Sequence, residues 1–344
     1  MLDIYNFKQK LDLRLKYLEE CDICEENKSL IRKFIDYCFI SGLSLSRQLK
    51  YLNHLLELAR LLGKPFDKAN KDDWIRVFRK IESSNLSYWT RRDFYIAFKR
   101  FYKWLWNREP DLPYRPKGRA KKLIPEELLS EEEVLKLVKA CDQLRDKALI
   151  LTLYETGCRV GEILSLRIKD VTFDEDGAVL LVNGKTGMRR VRVIASAPKL
   201  AQWINNHPFG DNLNAPLWPV LVGKNKGKPL SYCSFKELLY KIAAKAGIKK
   251  RVYPHLFRHS RATLLANFLR EAQLKQYFGW VQSSKMAAVY VHLSGRDVDD
   301  ALLELNGLKR ERMQKLILKV KLCSKCGAKN SPDERICVNC YSKL

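Results

Sequence analysis

The chain has 344 residues, enough for two domains with cores of their own and an appendage. Lys and Arg number 64 against 39 Asp and Glu, a net charge of +25, and such an excess points to a polyanionic partner, nucleic acid first. No apolar run approaches the roughly 18 residues of a membrane span, and the start, Met1 to Phe7, lacks a signal-peptide pattern. A cytoplasmic protein with no membrane partner is expected.

Residues 1–110 read as helices. Apolar side chains recur at spacings of three and four in Ile31, Phe34, Ile35, Cys38 and Phe39, and again in Leu49, Leu52, Leu55, Leu56 and Leu58. Gly42 and Gly63 punctuate these segments. Ser87 is placed to cap a third helix running to about Trp106. One face of that helix carries Phe94, Phe98, Phe101 and Leu105. Another carries Arg92, Lys99 and Lys103, a cationic stripe that reads either as a solvated face or as a surface tracking DNA phosphates. Cys21, Cys24, Cys38, Cys141, Cys158 and Cys233 are scattered among mostly apolar neighbours and read as small buried hydrophobes in a reducing compartment. The Cys21-x-x-Cys24 spacing has no partner pair nearby and reads as a coincidence on a helix.

Pro110, Pro113, Pro116 and Pro125 mark a boundary, and Arg115, Lys117, Arg119, Lys121 and Lys122 place five cations there without an acid. This is a linker able to lie on a nucleic-acid backbone. The expected division is a helical domain over 1–110, a basic linker over 111–128, a second domain over 129–320 and a tail over 321–344. Ser130 and Glu133 form a capping box that starts a helix. Helical pattern continues to about residue 170. Over 171–195 the β-branched runs Ala178–Val182 and Val191–Ile194 flank a glycine-containing turn, which predicts a hairpin. Helix and loop return over 196–250. Gly223-Lys-Asn-Lys-Gly-Lys228 lacks the spacing of a phosphate-binding loop and reads as a basic loop. Helices then continue to about Val320.

Four places carry chemistry. Arg159 follows the turn Thr156-Gly-Cys and begins an amphipathic helix, where a cation opposes the helix dipole unless an anion is bound. Glu162, one turn on, is spaced to orient a neighbour. Lys185 sits at the tip of the predicted hairpin. His255 and Arg258 are three apart and share a helix face. Tyr290 follows in a later segment. A guanidinium, an imidazole and a phenol are the groups needed to attack a phosphate without a metal.

Taken together, Thr156-Gly-Cys-Arg159-Val-Gly-Glu162, Asn183-Gly-Lys185-Thr-Gly, Pro254-His255-Leu-Phe-Arg258-His-Ser, Phe278-Gly-Trp280 and Val289-Tyr290-Val-His292 resemble the tyrosine recombinase (phage integrase) family in order and approximate spacing. The details are closest to archaeal integrases and Xer-like recombinases, and the resemblance covers about residues 20–310. It implies a mainly α (α+β) fold: a helical core-binding domain, then a catalytic domain with a small β-hairpin or sheet, the two closing on duplex DNA. It implies a site-specific recombinase that cleaves and rejoins DNA through a 3′-phosphotyrosine, without ATP or a catalytic metal. Tyr290 would be the nucleophile and Arg159 and Arg258 would clamp the phosphate oxygens. Lys185 would protonate the leaving 5′-oxygen, His255 would act as base or hydrogen-bond partner, and Glu162 would orient the site. Trp280 stands where many members carry histidine. The interval from Trp280 to Tyr290 is one residue longer than usual, which makes Tyr277 a rival nucleophile. His259 and His292 read as structural, and Tyr253 as a packing residue. The resemblance further implies double-stranded DNA with paired sites as partner and a homotetramer on it, with a monomer or dimer when free. Asp297–Leu318 is a candidate helix exchanged between neighbours. The alternatives are a type IB topoisomerase-like relaxing enzyme and a catalytically inactive DNA-binding or directionality factor.

The tail carries Cys323-Ser-Lys-Cys326 and Cys337-Val-Asn-Cys340 with ten residues between. Two such knuckles suit tetrahedral thiolate coordination of zinc, so a structural zinc ribbon is expected. A segment this short cannot build a core, and the metal would supply its folding energy. Lys325 and Lys329 are candidates to touch DNA or a partner protomer.

Overall fold

The computed structural model of the protein describes residues 3–118, 124–184, 187–293, 302–303, 305–307 and 318–344. Residue contacts divide the chain into two units: Asn6–Lys122, and Met1–Tyr5 together with Leu123–Leu344.

The first unit contains α1 (Phe7–Glu20), α2 (Glu25–Ile40), α3 (Leu45–Leu62), α4 (Lys71–Glu82) and α5 (Tyr88–Trp106). The helix-period side chains form its core: Ile31, Phe34, Ile35 and Cys38 of α2 meet Leu52, Leu55 and Leu56 of α3 and Phe94, Phe98 and Phe101 of α5. Phe34 meets Phe101 edge-on with centroids 5.3 Å apart. Phe39 does not join them. It lies one position round from Cys38, outside the buried stripe, and is exposed. The Ser87 hydroxyl accepts from Thr90 N–H at 3.1 Å and starts α5 as expected. After α5 the proline-rich segment packs on this same unit. Leu112 is buried, Tyr114 lies 4.7 Å from the Phe78 ring, and its hydroxyl donates to Glu82 at 2.6 Å.

The second unit begins with α6 (Glu131–Ala140), capped reciprocally by Ser130 and Glu133. It continues with α7 (Leu144–Thr156) and the single turn α8 (Val160–Leu164). Residues 148–156 of α7 are all buried, so this stretch of the helix has no solvent-exposed face and runs through the core. Strands β1 (Val171–Asp174), β2 (Gly177–Gly184) and β3 (Gly187–Val193) form an antiparallel sheet in that order. The predicted hairpin is β2–β3; β1 is an addition to it. Its pleat turns Ala178, Leu180, Val182, Val191 and Val193 inward. On β1 and β3, Arg192 grips Asp174 with two bonds of 2.7 Å.

Then come α9 (Ala197–Asn205), α10 (Tyr232–Lys245), α11 (Pro254–Leu265), α12 (Glu271–Phe278) and α13 (Met286–Leu293). Ala262 of α11 and Ala266 that caps its end, Leu274 and Phe278 of α12, and Ala287 and Tyr290 of α13 make a small separate core. The small alanines let α11 and α13 approach, and this is what brings Tyr290 to α11. The tail strands β4 (Lys321–Leu322) and β5 (Lys329–Asn330) pair antiparallel.

Cys21, Cys38, Cys141 and Cys158 are buried as expected, and Cys24 is half-buried. Cys233 is exposed, because it falls on the outward side of the first turn of α10. Among the described residues, no helix is long and apolar enough to cross a membrane.

Candidate active site

The site is assembled where α7 ends. Gly157 terminates that helix at φ +53°, and a Cβ there would fall 2.5 Å from the Phe278 ring. The close approach lets the Gly157 carbonyl accept from Arg258 Nη1 at 3.0 Å while the Phe278 carbonyl accepts from Nη2 at 2.8 Å. The Arg258 guanidinium carbon lies 5.0 Å from the Phe278 ring centre and 5.3 Å from that of Trp280. The side chain is 2 % exposed. Burial first, and then the nearby charge of Arg159, pull its pKa down to about 10. Two of its five N–H groups are thus fixed by backbone, which aims the fork and leaves the others for an anion.

Arg159 opens α8, where its cation would oppose the helix dipole. An acid on the same turn compensates. Glu162 accepts from the Arg159 backbone N–H at 2.9 Å and from its Nη1 at 3.0 Å. The same carboxylate takes both arms of Arg189 on β3, at 2.9 and 2.8 Å. Arg189 also donates to the Tyr277 carbonyl at 3.1 Å and to Cys158 Sγ at 3.3 Å. Burial would push the Glu162 carboxyl up, but Arg189, the Arg159 backbone N–H and the Arg159 charge outweigh it and hold it below the usual range. Arg189 stands in the cationic run Arg189, Arg190 and Arg192 close after Lys185, and no short motif marks it. Its place in the strand register, opposite Val182 on β2, is the one signal that separates it from its neighbour Arg190.

His255 and Arg258 share a face of α11, and His259 lies one turn beyond His255 with the rings edge to face at 4.6 Å. His255 keeps an exposed side, while burial of the rest of its ring and then His259, Arg258 and Arg159 hold its pKa below the ordinary imidazole value. Tyr290 is 1 % exposed. Its ring lies parallel to Trp280, with centroids 5.4 Å apart and planes within 3°. Its hydroxyl is 2.6 Å from His259 Nδ1. Burial pushes the phenol up to about 12, against the downward pull of Arg258. His259, expected to be structural, therefore touches the candidate nucleophile. The rival Tyr277 is committed elsewhere: its hydroxyl donates to the Glu155 carbonyl at 2.9 Å.

Lys185, Arg119, Lys121 and Lys122 lie outside the described residues, as does most of Asp297–Leu318. In the first unit Lys99 and Lys103 both pair with Glu109, at 3.0 and 3.1 Å, and the Arg92 guanidinium lies 5.3 Å from the Trp89 ring centre. Arg115 and Lys117 are exposed.

In the tail, the sulfurs of Cys323, Cys326, Cys337 and Cys340 all lie within 4.8 Å of one another. The Cys323–Cys340 and Cys326–Cys337 pairs are 3.5 and 3.6 Å apart, close to the roughly 3.8 Å edge of a tetrahedron with metal–sulfur bonds near 2.3 Å. Asn339 N–H donates to Cys337 Sγ at 3.4 Å, as a thiolate requires. The four cysteines could hold a metal ion. The tail is anchored on α9, where the buried Lys199 pairs with Asp333 at 3.0 Å and with Glu334. Lys329, a candidate for DNA contact, donates to the Glu175 carbonyl.

The model of the phage integrase family matches residues 127–296. The tyrosine recombinase XerA of Pyrococcus horikoshii is 29% identical over 241 residues, covering 69% of this chain and 79% of the relative. The tyrosine recombinase XerC of Halalkalibacterium halodurans is 30% identical over 215 residues, 60% of this chain and 69% of the relative. Among solved structures, the XerH site-specific recombinase in a post-cleavage complex with a palindromic difH substrate aligns with TM-score 0.61 at 19% identity, covering 89% of this chain and 91% of that one. The Tn1549 transposon integrase in complex with transposon right end DNA aligns with TM-score 0.61 at 20% identity, over 81% and 98%. These structural likenesses carry the fold.

Proposed function

The chain belongs to the phage integrase family and is a site-specific tyrosine recombinase, an enzyme that cleaves and rejoins DNA, and from that premise we propose that Tyr290 is its nucleophile. The observation that carries this reading is the convergence on Tyr290 of α11 and the α12–α13 connection. His259 meets its hydroxyl, Trp280 stacks on its ring, and Arg258 lies against that same Trp280.

Tyr290 Oη attacks the scissile phosphate of double-stranded DNA, forming a 3′-phosphotyrosine and releasing a 5′-hydroxyl. The bond energy stays in the phosphotyrosine, so rejoining needs no ATP. Arg258 and Arg159 each offer a planar fork to the non-bridging oxygens and stabilise the charge that grows there. Glu162 keeps the Arg159 fork aimed, and His255, at the exposed end of the cluster, hydrogen-bonds the phosphate. Lys185 protonates the leaving oxygen from the β2–β3 hairpin.

The metal of the tail is zinc, a structural ion, because four thiolates at tetrahedral spacing leave no open position for chemistry. The working assembly is a homotetramer on two paired sites. Arg92, Lys99, Lys103 and the cations Arg115, Lys117, Arg119, Lys121 and Lys122 contact the phosphate backbone. Exposed pairs such as Lys99 and Lys103 with Glu109 are worth at most about 1 kcal/mol, so phosphates displace Glu109 readily.

A nicked suicide substrate tests the reading. Wild type should trap a covalent adduct that Tyr290→Phe cannot form. Equal behaviour of the two overturns the assignment, and relaxation without recombination on a paired-site plasmid would favour a topoisomerase instead.

A further inference from the structure

His259 was not expected to react, yet among the described residues it is the partner of the Tyr290 hydroxyl, 2.6 Å from Nδ1 to Oη. The two rings are tilted by 40° with centroids 5.8 Å apart, and their polar atoms Nδ1 and Oη make the contact. We propose that His259 is a further catalytic residue, the group that takes the phenol proton as Tyr290 attacks. The proposal rests on the assignment of Tyr290 as nucleophile.

Among the described residues, the charged and titratable groups around His259 are His255 and Arg258 on its own helix and Tyr290 on α13. Burial, and then the Arg258 charge, favour its neutral form at neutral pH. A neutral imidazole has one ring nitrogen free to accept, and the proposed step uses the tautomer in which that nitrogen is Nδ1 and the Tyr290 O–H donates to it. His255 meets the ring of His259 rather than the Tyr290 hydroxyl, and its exposed position suits it to the DNA instead. A phenol held at about 12 cannot supply enough phenolate by itself at neutral pH. The step balances within the site. The Tyr290 O–H bond breaks and its proton goes to His259 Nδ1. The oxygen lone pair forms the Oη–P bond as the P–O5′ bond breaks, and the leaving oxygen is protonated by the separate acid, Lys185. On rejoining, His259 returns its proton to the departing phenolate.

The test uses the full chain and single-turnover trapping on nicked DNA, with either the natural 5′-oxygen or a bridging 5′-sulfur at the scissile bond. A thiolate leaves without protonation, so the sulfur substrate removes the need for the acid but not for the base. His259→Asn keeps an acceptor near the Nδ1 position without a basic nitrogen. It should slow adduct formation about 10²–10⁴-fold on both substrates. It should also abolish the fall in rate that wild type shows as His259 protonates on the acid side of neutrality. DNA binding and thermal melting of His259→Asn and of His259→Gln serve as checks on folding, and either folded variant decides the matter. Adduct formation by a folded variant at the wild-type rate, or full recovery on the sulfur substrate, overturns the proposal. If wild type itself forms no adduct, the fault lies in the Tyr290 assignment, and that outcome is distinct from a failure of His259.

Discussion

Arg189 closes a two-armed ion pair on Glu162, at 2.9 and 2.8 Å, and Glu162 uses the same Oε1 to hold Arg159 at 3.0 Å. A strand residue thus fixes the aim of an arginine on α8 through a carboxylate that is itself almost fully buried. Buried charges of this kind persist only when every partner is present.

Removing one partner should therefore cost more than removing both. Arg189→Met leaves Glu162 buried with half its compensation and is expected to lose about 3–5 kcal/mol. Arg189→Met with Glu162→Leu should be less destabilised than either single change. Urea denaturation of the four proteins measures the coupling. Adduct formation by Arg189→Met should also drop about 10²-fold, because Arg159 loses its fixed direction. A double variant no more stable than the sum of the singles would disprove the coupling.

The pH dependence of that pair has a definite sign. Glu162 titrates below the ordinary carboxylate value in the folded chain. Its stabilisation is therefore complete above the unfolded value of about 4.3 and is lost as pH falls through the folded value. The stability gap between wild type and Glu162→Gln should be constant from neutral pH down to about 5 and shrink below about 4. A gap that widens on acidification would reverse the assignment of the carboxylate as the ionised partner.

Tyr277 and Tyr290 separate cleanly. Tyr277→Phe deletes a buried hydroxyl that donates to the Glu155 carbonyl, and should cost about 1–3 kcal/mol while leaving covalent trapping intact. Tyr290→Phe should abolish trapping with DNA affinity retained. Loss of the adduct in a folded Tyr277→Phe would return Tyr277 to contention.

Much of this was legible beforehand because it is written in local pattern. The 3.6-residue period located α2, α3 and α5, the Ser130–Glu133 box located the start of α6, and the β-branched runs located β2 and β3. The candidate site residues Arg159, His255, Arg258, Trp280 and Tyr290 follow from short motifs, and Glu162 from its spacing to Arg159. What stayed hidden depends on packing between distant segments. Arg189 is one of three arginines in four positions, and only the inward closure of the β2–β3 hairpin on α8 and α12 selects it. His259 was assigned to structure because its partner, Tyr290, is 31 residues away and meets it only once α11 and α13 pack. The tail's metal spacing was plain, whereas its anchorage by Lys199 was not, since no sequence pattern distinguishes a buried lysine from a solvated one.

That anchorage separates metal loss from undocking. Cys326→Ser or a strong chelator should strip the metal from the tail, read by elemental analysis, and unfold the tail without abolishing covalent trapping. Lys199→Met should keep the metal but free the tail from α9, costing about 3 kcal/mol because Asp333 is left buried without its cation. Faster labelling or cleavage of the tail in Lys199→Met, with metal content unchanged, is the expected result. Metal loss in that variant would mean that docking and coordination are one event.

Two glycines offer a controlled comparison of space against conformation. Gly279 and Gly63 both end helices in the left-handed region, at φ +60° and +69°. Beside Gly63 nothing lies within 4 Å of a built Cβ, so Gly63→Ala should cost only the left-handed penalty of about 1–2 kcal/mol, with cleavage unaffected. Beside Gly279 the Cβ would fall 2.9 Å from Arg189 Nη1 and 3.1 Å from its Cζ. Gly279→Ala carries the same backbone penalty and in addition pushes the guanidinium off Glu162. It should therefore be the less stable of the two and should slow adduct formation, as Arg189→Met does. If the two alanine variants lose equal stability and both cleave normally, Arg189 has room to move, and the Glu162 relay to Arg159 tolerates more displacement than its distances imply.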